Sequence, residues 1–414
     1  MLAAILSADP TVVRCGKLID VRSGSVKVDA AVVVNNGRIV EVGAASTTAI
    51  AGAPVVDLTS ATCMPGLIDV HDHLTSDARI HGYKSLGISV PRATLTGARN
   101  AQVTLRAGFT TVRNVGASGY SDVALRDAIN DGDVEGPRLL VSGPALGITG
   151  GHCDENLLPA EFHYASEGVA NGPWQARAKV REVIKYGADV IKICASGGVM
   201  SKGDAVGAAQ YTPEEMKAIA DEAHKLGRKV AAHAHGTQSI KEAIEAGIDS
   251  IEHSSLIDEE GIRLAKQHGT FLVFDIYNDD FIVREGANVG MLPESIEKEK
   301  QIGHLQRENF RKAYLAGAKL AFGTDGGVYP HGDNWKQFPL MVEYGMKPIE
   351  AIRAATLVSA ELLGLDKEVG SVEKGFSADL IAVAGDPLTD IRSLQNVKFV
   401  MKQGTVYRND FGGR

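Results

Sequence analysis

Two histidines separated by a single residue, His71 and His73, follow a short apolar run in the segment CMPGLIDVHDHLTSD, residues 63–77. Successive side chains of a β-strand alternate between its two faces, so both imidazoles point one way and Asp72 points the other. Two imidazoles on one face can bind a metal ion, although such a pair alone more often marks only the polar end of a strand. The rest of the chain must decide between these interpretations.

Four further residues of the types that bind metal ions or move protons stand at or just after other β-branched runs. They are Lys192 in DVIKICASGG, His233 in VAAHAHG, His253 in SIEHSS and Asp325 in FGTDGG. Each has an ordinary explanation by itself, as a lysine that reaches water, a core or loop histidine, or a turn aspartate. Six separate explanations account poorly for the joint pattern, whose imidazoles and carboxylate suit zinc or a similar divalent ion.

The elements that must position these residues are short β-branched runs alternating with amphipathic helical stretches. We predict strands over residues 67–71, 109–113, 138–142, 189–194, 229–233, 249–252, 271–275 and 319–323. The clearest helix, YTPEEMKAIADEAHKLG, starts with a capping box of Thr212 and Glu215 and ends at Gly227. Eight such units predict an α/β fold with a (β/α)8 barrel, in which all six residues meet at the C-terminal mouth.

Both ends of the chain show a different sequence pattern from the middle. Residues 10–65 and 366–414 read as short strands joined by turns such as NNG and RSG. We therefore predict a small β-sandwich domain built from residues 1–65 and 365–414, beside a barrel domain of residues 66–364. Two independent caps are the alternative.

The composition limits the classes of function. The chain has 414 residues, of which 44% are hydrophobic and 23% charged, and its formal net charge is -8. This acidic balance gives no support to nucleic-acid binding, which depends on neutralising phosphates, and small-molecule substrates are the expected partners. We expect a homo-oligomer without nucleic-acid or membrane partners.

The cysteines and the N-terminus leave the compartment open. The four cysteines, Cys15, Cys63, Cys153 and Cys194, have no close paired spacing, so we expect neither a disulfide framework nor a zinc ribbon. The start MLAAILSADP has a short apolar run without a basic flank, and fits an export signal or an ordinary N-terminus. The prediction is a soluble protein, cytoplasmic or exported with its signal removed.

The segments PGLIDVHDHL, DVIKICASGGV, VAAHAHG, SIEHSS and FGTDGG, in this order, resemble the amidohydrolase superfamily from about residue 12 to the C-terminus. GPRLLVSGPALGITGGHCD, KICASGGVMSKGD and GTDGGVYPHGDNWKQF are similar to its imidazolonepropionase-related branch of zinc-dependent dipeptidases and carboxypeptidases. That branch includes prolidase-like enzymes, enzymes that release C-terminal lysine or arginine, and ochratoxin-type amidohydrolases. FDIYNDD and LQRENFRKA resemble the basic-residue carboxypeptidases most.

The resemblance implies two divalent metal ions, most simply zinc, and an N6-carboxylated Lys192 that bridges them. The first ion would be bound by His71, His73 and Asp325 with Lys192, and the second by Lys192, His233 and His253. Burial favours the neutral amine that a lysine needs to react with carbon dioxide, which fits this role.

The resemblance also assigns residues around the metal ions. His152, in TGGHCD, matches a histidine that contacts the substrate carbonyl, and His235 stands where prolidase-like relatives carry tyrosine. Asn114 and Gln337 replace an aspartate and a glutamate of many relatives, which puts the substrate preference in doubt.

The expected chemistry is hydrolysis of an amide that carries a C-terminal residue, as in a dipeptide or an N-acyl amino acid. Metal ions would activate water, Asp325 would serve as general base and then general acid, and His152 would stabilise the oxyanion. His235, Tyr277 and Tyr211 are the remaining candidates for substrate contact. Asp275, Asp279 and Asp280 could form an acidic pocket for a basic residue, and Arg307 or Arg311 could bind the α-carboxylate.

Two alternatives stay open at this point. A cyclic amidohydrolase of the imidazolonepropionase type would use one metal ion, against which Lys192 argues because a lysine-derived bridge serves two ions. A non-catalytic binding barrel is the other, and an absence of bound metal after gentle purification would favour it.

Overall fold

The computed structural model describes residues 10–48 and 50–411. Most of the possible export signal, residues 1–9, lies outside these ranges. The strands in the described residues are β1 (Thr11–Ile19), β2 (Val26–Asn35), β3 (Arg38–Ala44), β4 (Val55–Pro65), β5 (Leu67–Asp72), β6 (Phe109–Asn114), β7 (Arg138–Val141), β8 (Val190–Cys194), β9 (Lys229–Ala234), β10 (Ser250–His253), β11 (Phe271–Phe274), β12 (Leu320–Phe322), β13 (Leu380–Val383), β14 (Val397–Lys402) and β15 (Thr405–Asn409).

Helices separate most of the strands from β5 to β12. The α-helices in the described residues are α1 (Val90–Arg106), α2 (Ser121–Asp131), α3 (Gly172–Lys185), α4 (Pro213–Lys225), α5 (Thr237–Glu245), α6 (Glu259–His268), α7 (Asn278–Val289), α8 (Pro293–Leu315), α9 (Gln337–Glu343), α10 (Pro348–Arg353) and α11 (Ser359–Leu363). The predicted capping box of α4 is confirmed, because the side chains of Thr212 and Glu215 each accept a hydrogen bond from the other's backbone N–H. None of the described helices has the length and apolar character needed to cross a membrane.

The eight strands predicted from the sequence are β5 to β12, and each predicted end lies within one residue of the observed end. Five of them form a parallel sheet in the order β12-β11-β10-β9-β8, and the other three form the sheet β5-β6-β7. Isolated parallel bridges also pair Asp72 with Gly326 and Leu146 with Ile193. The predicted α/β class with parallel strands is confirmed, while closure into a barrel stays a prediction.

The strands from the two chain ends form one mixed sheet in the order β15-β14-β13-β4-β1-β2-β3. Its pairs are antiparallel except β1 with β4, which run parallel. Alternate residues of these strands share a face, and one such set packs into an apolar cluster around Val32, Leu58, Phe399 and Met401. Burial of this face holds strands from the beginning and the end of the chain together.

The prediction about the cysteines is wrong. Cys15 is joined to Cys63 and Cys153 to Cys194, and no described cysteine is free. The paired residues lie 48 and 41 positions apart in the chain, so spacing alone gave no signal. Cys15 and Cys63 lie on β1 and β4, which become neighbours only through the sheet topology.

The described residues divide into two compact units. One takes residues from Met1–Ile68, Thr104–Thr111 and Lys347–Arg414, and the other takes Asp69–Val103 and Val112–Met346. We call them the sheet unit and the site unit. The sequence-derived domain limits, 1–65 with 365–414 and 66–364, stay a prediction.

Candidate active site

A cavity of about 1000 Å³ lies in the site unit. The residues proposed as ligands, catalytic groups or substrate contacts that line it are His71, His73, His152, Lys192, His233, His235, His253 and Asp325, and Asp275 lines it as well. Most stand at or just beyond the C-terminal ends of β5, β8, β9, β10 and β12. Parallel strands that end at a common edge explain why residues so distant in the sequence share one cavity.

The first cluster consists of His71, His73 and Asp325, whose ligand atoms lie within 4.8 Å of one another. Oδ1 of Asp325 lies 3.1 Å from Nε2 of His73 and 3.4 Å from Nε2 of His71. Burial would raise the pKa of Asp325, but the two histidines outweigh it and hold that pKa well below its usual range. Asp325 therefore faces both imidazoles as a carboxylate.

The second cluster consists of His233, His235 and His253, whose ligand atoms also lie within 4.8 Å of one another. Burial, together with the other charges of the site, lowers the pKa of His233 and of His235 well below the ordinary value. Both imidazoles are therefore neutral at physiological pH, which is the form that binds a metal ion.

Hydrogen bonds at Nδ1 orient several of these rings. Nδ1 of His71 lies 3.0 Å from Glu252 Oε2, and Nδ1 of His253 lies 3.0 Å from Asp275 Oδ2. Nδ1 of His235 contacts the Ser255 hydroxyl at 2.8 Å. Partners of this kind fix the tautomer and leave Nε2 free to bind a metal ion.

The residues present fit divalent metal ions. Nε2 of His71 and Nε2 of His233 are buried and have no hydrogen-bond partner among the described residues. A buried nitrogen that neither donates nor accepts a hydrogen bond is costly unless something else binds it. Imidazole and carboxylate together are the ligands of zinc and related ions.

Lys192 lines the same cavity, and its charge acts on a member of each cluster, His71 and His233. The side chain is buried, and desolvation lowers its pKa to about 8. A large share of neutral amine near physiological pH is the condition for reaction with carbon dioxide.

His152 is fixed against the second cluster. Its ring stacks on His233 with centroids 4.0 Å apart, and its Nδ1 lies 2.8 Å from the Ser201 hydroxyl. A Cβ at Gly198 would overlap the ring, so glycine there makes room for it. Burial lowers the pKa of His152 to about 4, so the imidazole is neutral and carries a single N–H.

The two tyrosines predicted to contact substrate are not among the residues that line this cavity. Tyr211 is buried, and the ring of Tyr277 packs edge-on against Tyr329 with centroids 4.8 Å apart. The geometry therefore gives these two predictions no support. Position beside a strand or helix end did not reveal which way either ring points.

The aspartates of the expected acidic pocket already contact other side chains of the protein. Asp275 accepts hydrogen bonds from Asn278 and Gln306 in addition to its contact with His253. Asp279 and Asp280 each lie 3.3 Å from the Arg307 guanidinium, so Arg307 is not free for a substrate carboxylate.

Asn114 and Gln337, the two residues that depart from the family pattern, are both held by hydrogen bonds to the backbone. Oδ1 of Asn114 accepts a hydrogen bond from the backbone of Leu74 at 2.7 Å, just beyond the first histidine pair. Gln337 donates to the carbonyl oxygens of Phe274 and Gly323, at the ends of β11 and β12. Both amides tie together the strand ends that carry the site.

Sequence reasoning missed the carboxylates behind the histidines. Glu252, which precedes His253, accepts a hydrogen bond from Arg113 at 2.8 Å besides contacting His71. It also missed Glu299, a buried glutamate on α8 that lines the cavity. Alternation along β10 predicts that Glu252 and His253 point to opposite faces, but it does not predict which residue Glu252 contacts. Helix α8 carries many charged residues, so Glu299 does not stand out among them in the sequence.

Comparison with known proteins places this architecture. Residues 62–407 match the amidohydrolase family. Ochratoxinase of Aspergillus niger is 37% identical over 358 residues, which cover 81% of this chain and 73% of that protein. Imidazolonepropionase of a Geobacillus species is 24% identical over 394 residues, 87% of this chain and 84% of that protein.

A solved structure of a Xaa-Pro dipeptidase with methionine bound in its active site is also similar. It superposes with a TM-score of 0.91 at 38% identity, over 97% of this chain and 100% of that one. The resemblance to the imidazolonepropionase-related branch is thus confirmed. The chain belongs to the amidohydrolase family and is an enzyme of the class that hydrolyses amide bonds.

Proposed function

We propose that the protein is a binuclear, metal-dependent amide hydrolase that releases the C-terminal residue of dipeptides or N-acyl amino acids. The observation that carries this proposal is the pair of ligand clusters, His71/His73/Asp325 and His233/His235/His253, which share a cavity with a buried lysine and a neutral histidine. A single-metal cyclic amidohydrolase has no use for a buried lysine in a cavity with two ligand clusters.

The first proposed ion would be held by His71, His73 and Asp325 and the second by His233 and His253, and an N6-carboxylated Lys192 would add a ligand to both. Bound divalent ions, most simply zinc, would lower the pKa of a water molecule and polarise the scissile carbonyl. His235 lies in the second cluster as well, and we assign it to substrate contact because it stands where prolidase-like relatives carry tyrosine; Ser255 holds its Nδ1 and the ring stacks on His253.

The chain's own residues carry the proton transfers. Asp325 is ionised and its carboxylate lines the cavity, so it would accept a proton from the attacking water, whose acidity bound ions would raise, and deliver that proton to the leaving amine. Asn278 donates a hydrogen bond at 3.0 Å to Oδ2 of Asp325 and orients it. His152 donates to the carbonyl oxygen as negative charge develops there.

The substrate class is inferred from two relatives. One is an ochratoxinase, and the other a Xaa-Pro dipeptidase that binds methionine in its active site. A cavity of about 1000 Å³ has room for a dipeptide or for an aryl-acyl amino acid. A carboxypeptidase-like preference for the C-terminal residue is therefore part of the proposal.

We extend the proposal to the architecture. The eight strands β5 to β12 close into a (β/α)8 barrel, supported by the bridges beside the outer strands of the two sheets. The mixed sheet forms a β-sandwich domain, and copies of the chain associate into a homo-oligomer. Small-angle scattering and light scattering on the purified protein would test shape and oligomeric state.

The deciding experiment screens zinc-loaded enzyme against dipeptides and N-acyl amino acids varied at the C-terminal residue, with an ochratoxin-like aryl amide and an imidazolone included. We expect release of the C-terminal amino acid, with about two metal ions per chain by elemental analysis. Hydrolysis of the imidazolone alone, with one ion per chain, would replace the proposal by the cyclic amidohydrolase. Protein without metal and without turnover would favour a binding role.

A further inference from the structure

Glu299, on α8, has a buried carboxyl group that forms no ion pair with a described residue, although the charge of Arg307 also acts on it. Only 5% of the residue is exposed, it lines the active-site cavity, and it forms no hydrogen bond or ion pair with another described residue. Buried carboxylates are normally paired, because burial of an isolated charge is costly. A carboxylate left unpaired beside a substrate cavity calls for a ligand that supplies the pairing.

The neighbouring acids on α7 and β11 differ from Glu299, because each of them is already paired. Asp279 contacts Arg307, and Asp275 accepts hydrogen bonds from Asn278 and Gln306. Gln306 lies two turns beyond Glu299 on the same face of α8, and it donates to the carbonyl oxygen of His253. This helix face therefore points toward the second ligand cluster.

Asn278 supplies a second unused acceptor. Its NH2 group donates to Asp275 at 2.6 Å and to Asp325 at 3.0 Å, which fixes the orientation of the amide. Its Oδ1 atom is buried and has no hydrogen-bond partner among the described residues. Asn278 lines the same cavity as Glu299. The carboxyl group of Glu299 and Oδ1 of Asn278 are thus two acceptors without a partner among the described residues, which suits a group that carries several N–H bonds and a positive charge.

We propose that Glu299, assisted by the side-chain oxygen of Asn278, binds a cationic group of the substrate and makes the enzyme select positively charged amides. The cation is an ammonium or guanidinium, supplied either by the free α-amino group of a dipeptide or by a basic C-terminal side chain. This inference rests on the proposed amide hydrolysis. Burial, with the neighbouring Asp275, Asp279 and Asp325, outweighs Arg307 and raises the pKa of Glu299 to about 8, and a bound cation would favour the ionised form.

The test uses three substrates of similar size and different charge. Nα-acetylnorleucine carries no cation. Nα-acetyllysine carries one on its side chain, and alanylnorleucine carries one on its α-amino group. We expect Glu299→Gln to lower kcat/KM about tenfold to a hundredfold for one of the two charged substrates, because a charged hydrogen bond is lost. Nα-acetylnorleucine should change by less than about twofold, and the charged substrate that loses activity identifies the source of the cation.

Two further variants control the experiment. Glu297→Gln removes a charge from the exposed side of α8, where the residue pairs with Lys300, and should leave the charge preference unchanged. Glu299→Asp keeps the charge and should retain part of the preference, which also covers the case in which Glu299→Gln fails to fold. An equal loss for all three substrates, or no loss for any, would overturn the inference.

Calorimetric measurement of the binding of the same three compounds distinguishes failure of the proposed function from failure of the proposed role of Glu299. Binding is measured to Asp325→Asn enzyme with and without Glu299→Gln. If the wild type hydrolyses none of them, amide hydrolysis of this class is wrong. Tighter binding of a charged compound that disappears in the double variant would still support the role of Glu299, and equal binding of all three would refute it.

Discussion

The two units bury different kinds of side chain, mainly apolar ones in the sheet unit and several charged ones in the site unit. The sheet unit buries an apolar cluster that includes Val32, Leu58 and Phe399, and β13 and the second half of β4 are buried throughout. The site unit buries charges in the centre of its parallel strands, where Arg113 lies against Glu252 at 2.8 Å. Desolvation penalises each of these charges unless a partner offsets it.

The difference shows where stability and chemistry are located. Three non-glycine residues of the site unit, His253, Ser254 and Asp325, have φ of 70°, 51° and 55°. Left-handed backbone at such residues costs about 1–3 kcal/mol each and persists only when the surroundings enforce it. Two of these residues are proposed metal ligands, whereas the three left-handed non-glycine residues of the sheet unit, Asp29, Asn36 and Gln403, have no proposed part in the site.

The largest effect is expected for Asp325→Asn. Asparagine tolerates the left-handed backbone of this position, so the change removes mainly the charge and the proton acceptor. We expect kcat to fall at least about 10³-fold, in the range of general acid-base catalysis, with metal content retained by elemental analysis. Asp333→Asn, which removes an exposed partner of Lys336, is the control. A variant that keeps full kcat would rule out this role for Asp325.

Lys192→Ala should have the next largest effect. Loss of the proposed bridge should reduce activity on the order of 10²–10³-fold, and short carboxylic acids such as acetate or propionate should restore part of it by occupying the same place. Unchanged activity in this variant would exclude the carboxylated lysine.

A pH experiment sharpens the prediction for Lys192. Burial lowers the pKa of the amine to about 8, and the neutral form increases as the pH rises through that value. Metal-free enzyme should therefore regain activity with zinc and bicarbonate faster at pH 8.5 than at pH 6.5 (about a tenfold difference in neutral amine or more). Recovery that is independent of both bicarbonate and pH would contradict the prediction.

Glu252→Gln tests the buried charges of the site unit. The change leaves Arg113 without its counter-charge and weakens the hold on Nδ1 of His71, so we expect metal affinity or activity to fall about 10- to 100-fold. The free energy of unfolding should fall by about 3–5 kcal/mol, as for other broken buried pairs. Asp386→Asn breaks the more exposed pair with Lys17 in the sheet unit, and should cost less than about 1 kcal/mol.

The dependence of stability on acidic pH tests the same buried contact of Glu252 with Arg113 and His71. Burial alone would raise the pKa of Glu252, but Arg113 and His71 outweigh it and hold the pKa well below the ordinary 4.5. The stabilisation is therefore present above about pH 4.5 and is lost as the pH falls further. Wild-type stability, followed by thermal melts, should decline more steeply below pH 4.5 than that of Glu252→Gln. Parallel curves would show that the pair contributes nothing.

Sequence alone predicted the strands and the residues of the ligand clusters because both follow local rules. β-Branched runs bounded by turns mark strands, and parallel strands place their final residues at a common edge. His71 and His233 could be proposed as ligands in this way, without knowledge of any contact. The structure brings both of them to one cavity.

Features that depend on pairing across the fold were not predictable. Partners such as Glu252 for His71, or Cys194 for Cys153, are fixed by three-dimensional packing, and their separations of 181 and 41 residues carry no signal. The direction of Tyr277 is likewise set by its contact with Tyr329, which follows β12. The unpaired state of Glu299 is visible only when all of its neighbours are known.

The two disulfides give the most direct comparison of the units, with the smallest expected effect on catalysis. Cys15–Cys63 lies within the apolar cluster of the sheet unit, whereas Cys153 follows His152 and Cys194 lies two residues beyond Lys192. Replacing Cys15 and Cys63 with alanine should lower the free energy of unfolding by about 2–4 kcal/mol, through loss of the cross-link, and leave kcat unchanged.

Replacing Cys153 and Cys194 with alanine should instead lower kcat. Without the cross-link, the loop of His152 is held to β8 by hydrogen bonds such as that from Cys194 N–H to Leu146, and to the residues around Ser201 by a side-chain contact. We expect a loss on the order of tenfold or less, short of the 10²-fold that a displacement of about 1 Å can cost. The loss should appear in kcat more than in KM, because His152 acts on the developing oxyanion. If the two double variants lose the same stability and neither loses activity, both disulfides only stabilise the fold, and the contrast between the units ends at the metal ligands.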